Sequence, residues 1–157
     1  RTTSMIERER RFLVNSLPDP LPAPSRIVQG YLTTRPAAVR VRRCDDAYTL
    51  TIKTGSGLAR VEVERQLSAD EFEALWAVAD DLRIAKRRHE LPLGDGHTAE
   101  LDLFDQDLAG RRIVEVEFDD DADAAAFEPP GWFGREVTDD GRYSNAALAS
   151  NGWPDDD

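Results

Sequence analysis

The sequence predicts a mostly β (α+β) protein, and three observations predict it. Short segments in which residues alternate between two faces with period two recur about eight times along the chain. Clusters of Gly, Asp and Pro separate them, as at Gly55–Gly57, Gly94–Gly96 and Asp107–Gly110, where turns between antiparallel strands belong. Only two stretches carry helical spacing instead.

The first strand is Ile6–Phe12. Glu7, Glu9 and Arg11 share one face of it, about 7 Å apart, while Arg8 and Arg10 point the other way. A half-buried strand with one apolar face does not describe this segment. After the proline-rich connector Pro18–Pro24 comes Ile27–Thr33 (IVQGYLT). Val39–Arg43 sets Arg40 and Arg42 against Val39 and Val41, and Thr49–Lys53 sets Thr49, Thr51 and Lys53 against Leu50 and Ile52. Val61–Arg65 sets Glu62 and Glu64 against Val61 and Val63. Ser68 then opens a helix as N-cap, with Glu71 completing a capping box and Phe72, Leu75, Trp76 and Ala79 on one side. Three strands follow, with Lys86 and Arg88, Glu100 and Asp102, and Glu115 and Glu117 as their charged faces. Beyond Pro129 and Pro130, Glu136–Ser150 is the second helical candidate, with Tyr143, Ala147 and Leu148 as apolar contacts.

Composition bounds what such a chain can do. With 40% hydrophobic and 32% charged among 157 residues, one compact domain over residues 1–157 is expected. Arg1–Ser4 is read as a remnant ahead of a start at Met5, and Asp155–Asp157 as a frayed tail. A net charge of -11 argues against nucleic acid or a membrane surface as the main partner. Cys44 is the only cysteine, so no internal disulfide or thiolate metal cage forms, and a cytoplasmic address fits. No apolar run approaches the roughly 20 residues of a membrane helix. The oligomeric state stays open between monomer and homodimer. His89 and His97 are expected at the surface, and Asp119–Asp121 as a solvated run.

The charged faces keep one sign within most strands and change sign between strands. Like charges about 7 Å apart repel by roughly 2 kcal/mol at an effective dielectric near 20, so the faces need partners. Two architectures satisfy the pattern. In one, the apolar faces form the core and the charged faces look at water. In the other, the sheet closes with its charged faces inward around a wet lumen, and helices cover the apolar outside. Such a lumen would offer cations to anionic oxygens and carboxylates to a hard metal ion, which suits a polyphosphate with Mg²⁺.

The ordered motifs resemble a known family. Glu7, Glu9 and Arg11 followed by Phe12, Leu13 and Val14 look like the ExExK signature of the CYTH superfamily, the triphosphate tunnel metalloenzymes. The resemblance continues through QGYL (Gln29–Leu32), VRVR (Val39–Arg42), LTIK (Leu50–Lys53), VEVE (Val61–Glu64), IAKRR (Ile84–Arg88), ELDLF (Glu100–Phe104), VEVEF (Val114–Phe118), GREVT (Gly134–Thr138) and RYSNAALA (Arg142–Ala149). It implies a closed eight-stranded antiparallel β-barrel, a tunnel with a charged interior and a few covering helices. The implied activity is divalent-metal-dependent hydrolysis of a triphosphate, most readily inorganic tripolyphosphate to pyrophosphate and phosphate. The alternatives are a class IV-type adenylate cyclase, a thiamine triphosphatase, or a non-catalytic polyphosphate-binding module.

By the same resemblance, Glu7, Glu9 and Glu117 carry Mg²⁺ or Mn²⁺, with Glu115 near. Arg11, Arg40, Arg42, Lys53, Lys86 and Arg88 cradle phosphate oxygens of tripolyphosphate or a nucleoside triphosphate. Lys86 also belongs to the catalytic set with Glu62, Glu64 and Tyr31. The two glutamates position a second metal or the attacking water, and Tyr31 tunes proton transfer or product release. The signature lysine is Arg11 here, which keeps the charge but presents a fork rather than a point. The segment Glu136–Ala149 is expected to plug one tunnel mouth. A pure binding module gains nothing from six glutamates, and it should bind without Mg²⁺, whereas a hydrolase should need it.

Overall fold

The computed structural model describes residues 5–155, so Arg1–Ser4, read from the sequence as a remnant, and the last two residues of the stretch read as a frayed tail lie outside the described residues. Among the described residues there are nine strands: β1 (Ile6–Val14), β2 (Ser25–Thr33), β3 (Ala38–Cys44), β4 (Ala47–Thr54), β5 (Ala59–Gln66), β6 (Arg83–Pro92), β7 (Thr98–Phe104), β8 (Arg112–Phe118) and β9 (Phe133–Glu136). The helices are α1 (Ala69–Val78), α2 (Asp121–Ala126) and α3 (Asn145–Asn151). Strands neighbour one another in the order β5-β4-β3-β2-β6-β7-β8-β1, and β5 returns to pair with β1. All these pairs are antiparallel, so eight strands close into a barrel.

Register decides which residues share a face around the ring, because directly opposed residues of an antiparallel pair lie on the same side. Around the ring, Arg60 opposes Glu7, Glu117 opposes Glu9, and Glu115 opposes Arg11 and Glu100. Asp102 then opposes Arg88, Lys86 opposes Ile27, and Gln29 opposes Arg42. Thr49 opposes Arg42, Lys53 opposes Ala38, and Glu62 opposes Lys53, which returns the circuit to β5. These residues share one face around the ring. The charged ones line a common cavity while the opposite face of β1, β7 and β8 packs under apolar side chains, so the charged face is inside, with β2 contributing Ile27, Gln29 and Tyr31 to it.

The outer faces are covered in two places. Phe12, Leu101, Val114, Val116 and Phe118 pack with Ala124, Phe127 and Phe133, so α2 and β9 close over β1, β7 and β8. On the other side α1 lies on β2, β3 and β4, with Tyr48, Phe72 and Trp76 in a ring series at 5.1 and 5.4 Å. Gly30 is required there, since a Cβ on it would sit 2.8 Å from the Ala79 Cβ. The capping box forms, with Ser68 Oγ accepting from the Glu71 N–H at 3.1 Å and Glu71 Oε1 accepting from the Ser68 N–H at 2.8 Å. One tunnel end is apolar: Ile84, Phe104 and Ile113 meet Val137, Tyr143 and Leu148 of the C-terminal segment.

Several expectations change. The second helical candidate is helical only in α3; Ser144 caps it by accepting from the Ala147 N–H, and Gly141–Tyr143 forms a separate 3₁₀ turn. Phe133–Glu136 is a ninth strand, paired on β1 beyond the point where β5 leaves it. The acidic run Asp119–Asp121 is exposed, as expected, and within it Asp120 also caps α2 by accepting from the Asp123 N–H, and Asp121 accepts from Arg8 at 2.7 Å. His89 is buried, not at the surface, because the proline-rich connector crosses β6 and sets the Pro22 carbonyl 2.6 Å from its Nδ1. His97 lies between Asp95 and Asp123, each 3.0 Å away.

Candidate active site

Period-two spacing on β1 and the Glu9–Glu117 pairing bring three carboxylates together: oxygens of Glu7, Glu9 and Glu117 lie within 4.8 Å of one another. Packing like charges together in a desolvated place favours the protonated form. Burial, with Glu115 beside it, raises the Glu9 carboxyl to about 8. Burial, with Glu100, Glu7 and Glu62 nearby, raises Glu117 to about 7. Lys53 answers part of this charge from across the lumen, its Nζ 2.5 Å from Glu7 and 3.5 Å from Glu9. Hard oxygen ligands in such a group fit a small divalent cation, so this cluster could hold one.

Glu115 is engaged elsewhere. Arg11 Nη2 lies 3.1 Å from both Glu9 and Glu115, so its guanidinium bridges the two carboxylates. Its Nε has no hydrogen-bond partner among the described residues. Burial weighs against the Glu115 carboxylate, but Arg11, Arg88 and Lys86 hold it well below the ordinary range.

Asp102 organises a second group of charges. It receives Arg88 Nε at 2.8 Å and Arg88 Nη2 at 3.0 Å, and Lys86 Nζ stands 2.7 Å away. Lys86 and Asp102 are each 1% exposed. Lys86 Nζ also donates to Asn145 Oδ1 at 3.0 Å, which ties α3 to the lumen. Burial lowers the Lys86 ammonium to about 8 despite Asp102, with Arg88 and Arg42 adding to the fall.

On the opposite wall, Arg40 Nη2 donates to Thr51 Oγ1 at 3.2 Å, and Thr51 donates to Glu64 at 3.2 Å. Burial, then Glu7, raises the Glu62 carboxyl, while Lys53 at 3.8 Å opposes the rise. Arg42 donates twice to Gln29 Oε1, and Gln29 Nε2 donates to the Tyr31 hydroxyl at 3.2 Å.

Of the thirteen residues singled out in the sequence, eleven line one cavity of about 270 Å³; Lys86 and Tyr31 do not. Lys86 is sealed behind Asp102 and Asn145, and Tyr31 lines a small recess alongside. Sequence reasoning assigned no role to Glu100, Asp102, Gln29, Arg60 or Asn145. The first two were visible as an acidic alternation and Gln29 as part of QGYL, whereas Asn145 lies on a helix that period-two spacing cannot place in a lumen.

The chain was compared with known proteins. The model for the CYTH domain matches residues 5–129. An inorganic triphosphatase of Nitrosomonas europaea is 44% identical over 147 residues, covering 92% of this chain and 97% of that one. One from Acetivibrio thermocellus is 37% identical over 126 residues, covering 78% and 79%. A solved inorganic triphosphatase structure superposes with a TM-score of 0.71 at 40% identity over 94% of this chain and 97% of that one.

Proposed function

We infer, since the chain belongs to the CYTH domain family, that it is an inorganic triphosphatase, a phosphoanhydride hydrolase cleaving tripolyphosphate to pyrophosphate and phosphate inside its barrel. The observation that carries this reading is the meeting of Glu7, Glu9 and Glu117 with five cationic side chains in one cavity. Seven glutamates and five cations line that cavity, so a polyanion alone would meet excess like charge. A divalent cation, Mg²⁺ or Mn²⁺, removes the conflict, and Glu7, Glu9 and Glu117 would hold it. When bound, it neutralises phosphate charge and polarises a phosphoryl oxygen.

The chain's own residues do the rest. Arg40, Arg42, Lys53 and Arg88 bind phosphate oxygens and stabilise the charge that grows on the leaving phosphate. Arg11 joins them through its free Nε, and its bridge keeps Glu9 and Glu115 apart in function. Lys86 acts from behind Arg88, through the Asp102 carboxylate both share. Glu62 and Glu64 orient the attacking water, and Tyr31 serves the reacting phosphate from the recess. The site is cytoplasmic in this reading.

The test is phosphate release from tripolyphosphate, ATP and thiamine triphosphate, each with Mg²⁺, Mn²⁺ or EDTA. Metal-dependent release that favours tripolyphosphate is expected. Equal or better turnover of ATP or thiamine triphosphate would move the substrate to those compounds. Tight tripolyphosphate binding with no release, unaffected by EDTA, would replace the hydrolase with a binding module.

A further inference from the structure

Gln29 is fully buried on the inner face of β2, two residues from Tyr31, and touches no proposed metal ligand or water position. A buried amide is kept where both its ends are satisfied. Its Oε1 accepts from Arg42 Nε at 3.0 Å and from Arg42 Nη2 at 2.8 Å. A guanidinium has donors only, so the oxygen must face Arg42 and the amide cannot be turned round. The NH₂ end therefore faces Tyr31, whose hydroxyl oxygen lies 3.2 Å from Nε2.

The consequence concerns one proton. An NH₂ group can only donate, so the Tyr31 oxygen is the acceptor, and its own O–H must point somewhere else. Tyr31 lines a recess that it shares with Arg11, Arg40, Lys53 and Arg60 and with Asn145 of the C-terminal plug. No carboxylate lines that recess among the described residues; beside the four cations it holds only the neutral side chains of Ala38, Thr51, Ser144, Asn145 and Ala146, so the one charged acceptor for an O–H turned into it is an anion that the cations gather.

We propose that Gln29 is a positioning residue that fixes the Tyr31 hydroxyl as a donor to a phosphate oxygen of the bound triphosphate. Arg42 sets Gln29, Gln29 sets Tyr31, and Tyr31 touches the substrate. This rests on the triphosphatase reading and adds a residue to it. Replacing Gln29 by glutamate is the informative change. The carboxylate keeps its length and both bonds to Arg42, but its second oxygen accepts, which draws the Tyr31 proton back from the recess.

The experiment is steady-state hydrolysis of Mg²⁺-tripolyphosphate by the wild type, Gln29→Glu, Tyr31→Phe and the double variant, with thermal melts of each. Gln29→Glu and Tyr31→Phe should each lower kcat by roughly 10- to 100-fold, the cost of a lost hydrogen bond to a charged group, with KM little changed. The double variant should be no slower than Tyr31→Phe alone, because Gln29 acts only through that hydroxyl. If Gln29→Glu does not fold, Gln29→Met in both backgrounds reads the coupling as the part of its loss that disappears with the Tyr31 hydroxyl, the remainder being the Arg42 anchor it also removes. A Gln29 change that costs the same factor with or without the Tyr31 hydroxyl would overturn the proposal, as would a fully active Tyr31→Phe. A wild type with no activity would remove the triphosphatase reading and this inference with it, whereas an active wild type with additive losses removes the inference alone.

Discussion

Asp102 shows how a single carboxylate can set the geometry of two cations. It faces both Lys86 and Arg88 in a nearly solvent-free place. Removing one partner from such a group leaves uncompensated buried charge, so Asp102→Ala should destabilise the fold by about 3–5 kcal/mol in urea unfolding. A loss as small as that of an exposed pair would contradict the buried arrangement. The charges themselves were legible in the sequence, because period two is enough to put Lys86 with Arg88 and Glu100 with Asp102. Their partners were not, because pairing depends on the β6–β7 register that opposes Arg88 to Asp102. The raised carboxyls make a second prediction. Glu9 at about 8 and Glu117 at about 7 keep protons that an unfolded chain releases near 4.5. The native state then binds more protons than the unfolded one, so metal-free stability falls as pH rises through 7 and 8. His97, raised by its bonds to Asp95 and Asp123, contributes in the same direction. A divalent cation separates the two sources, since it replaces protons at the glutamates only. Melts in EDTA at pH 6 and pH 8, below most of the range in which the lowered Lys86 acts in the opposite sense, should show the fall, and Mg²⁺ should reverse much of it. A melting temperature in EDTA that does not fall with pH would refute the assignment.

At the scale of elements, α1 against β2 is the contact most sensitive to size. Gly30 lies under Ala79 and Trp76, and an added Cβ would approach within 2.8 and 3.1 Å of them. Gly30→Ala should therefore cost about 1–3 kcal/mol through overpacking, measured as a shift in the urea midpoint with an unchanged slope. No loss would mean that α1 shifts freely on the barrel. Most of the eight barrel strands could be read from alternation because they carry opposite character on their two faces. The ninth could not, since four residues hold too few alternations and its place is set by the edge of β1 that β5 leaves open. Helix α2 was hidden for a related reason. Its capping aspartate sits in an acidic run that, read alone, looks like solvated surface.

For the whole molecule, alternation left two barrels or sandwiches of opposite polarity equally consistent, because it says which residues share a face and not which way that face turns. Closure of the ring, with charged residues of every barrel strand except β2 lining one cavity and apolar residues packed outside, settles it, and that information is spread over strand pairs far apart in sequence. The strand that carries Glu7 and Glu9 is the extreme case. Its partners are β5, β8 and β9, so Glu117 reaches it from more than a hundred residues downstream. Such long-range pairing is intrinsically slow to form. During synthesis β1 must wait for β8 before it has a barrel neighbour on each side. A chain cut short before β8 holds Glu7 and Glu9 yet never gains the third carboxylate beside them. A chain that ends before β8 is thus unable to assemble the carboxylate cluster, and any activity that needs the cluster appears only once β8 has been made.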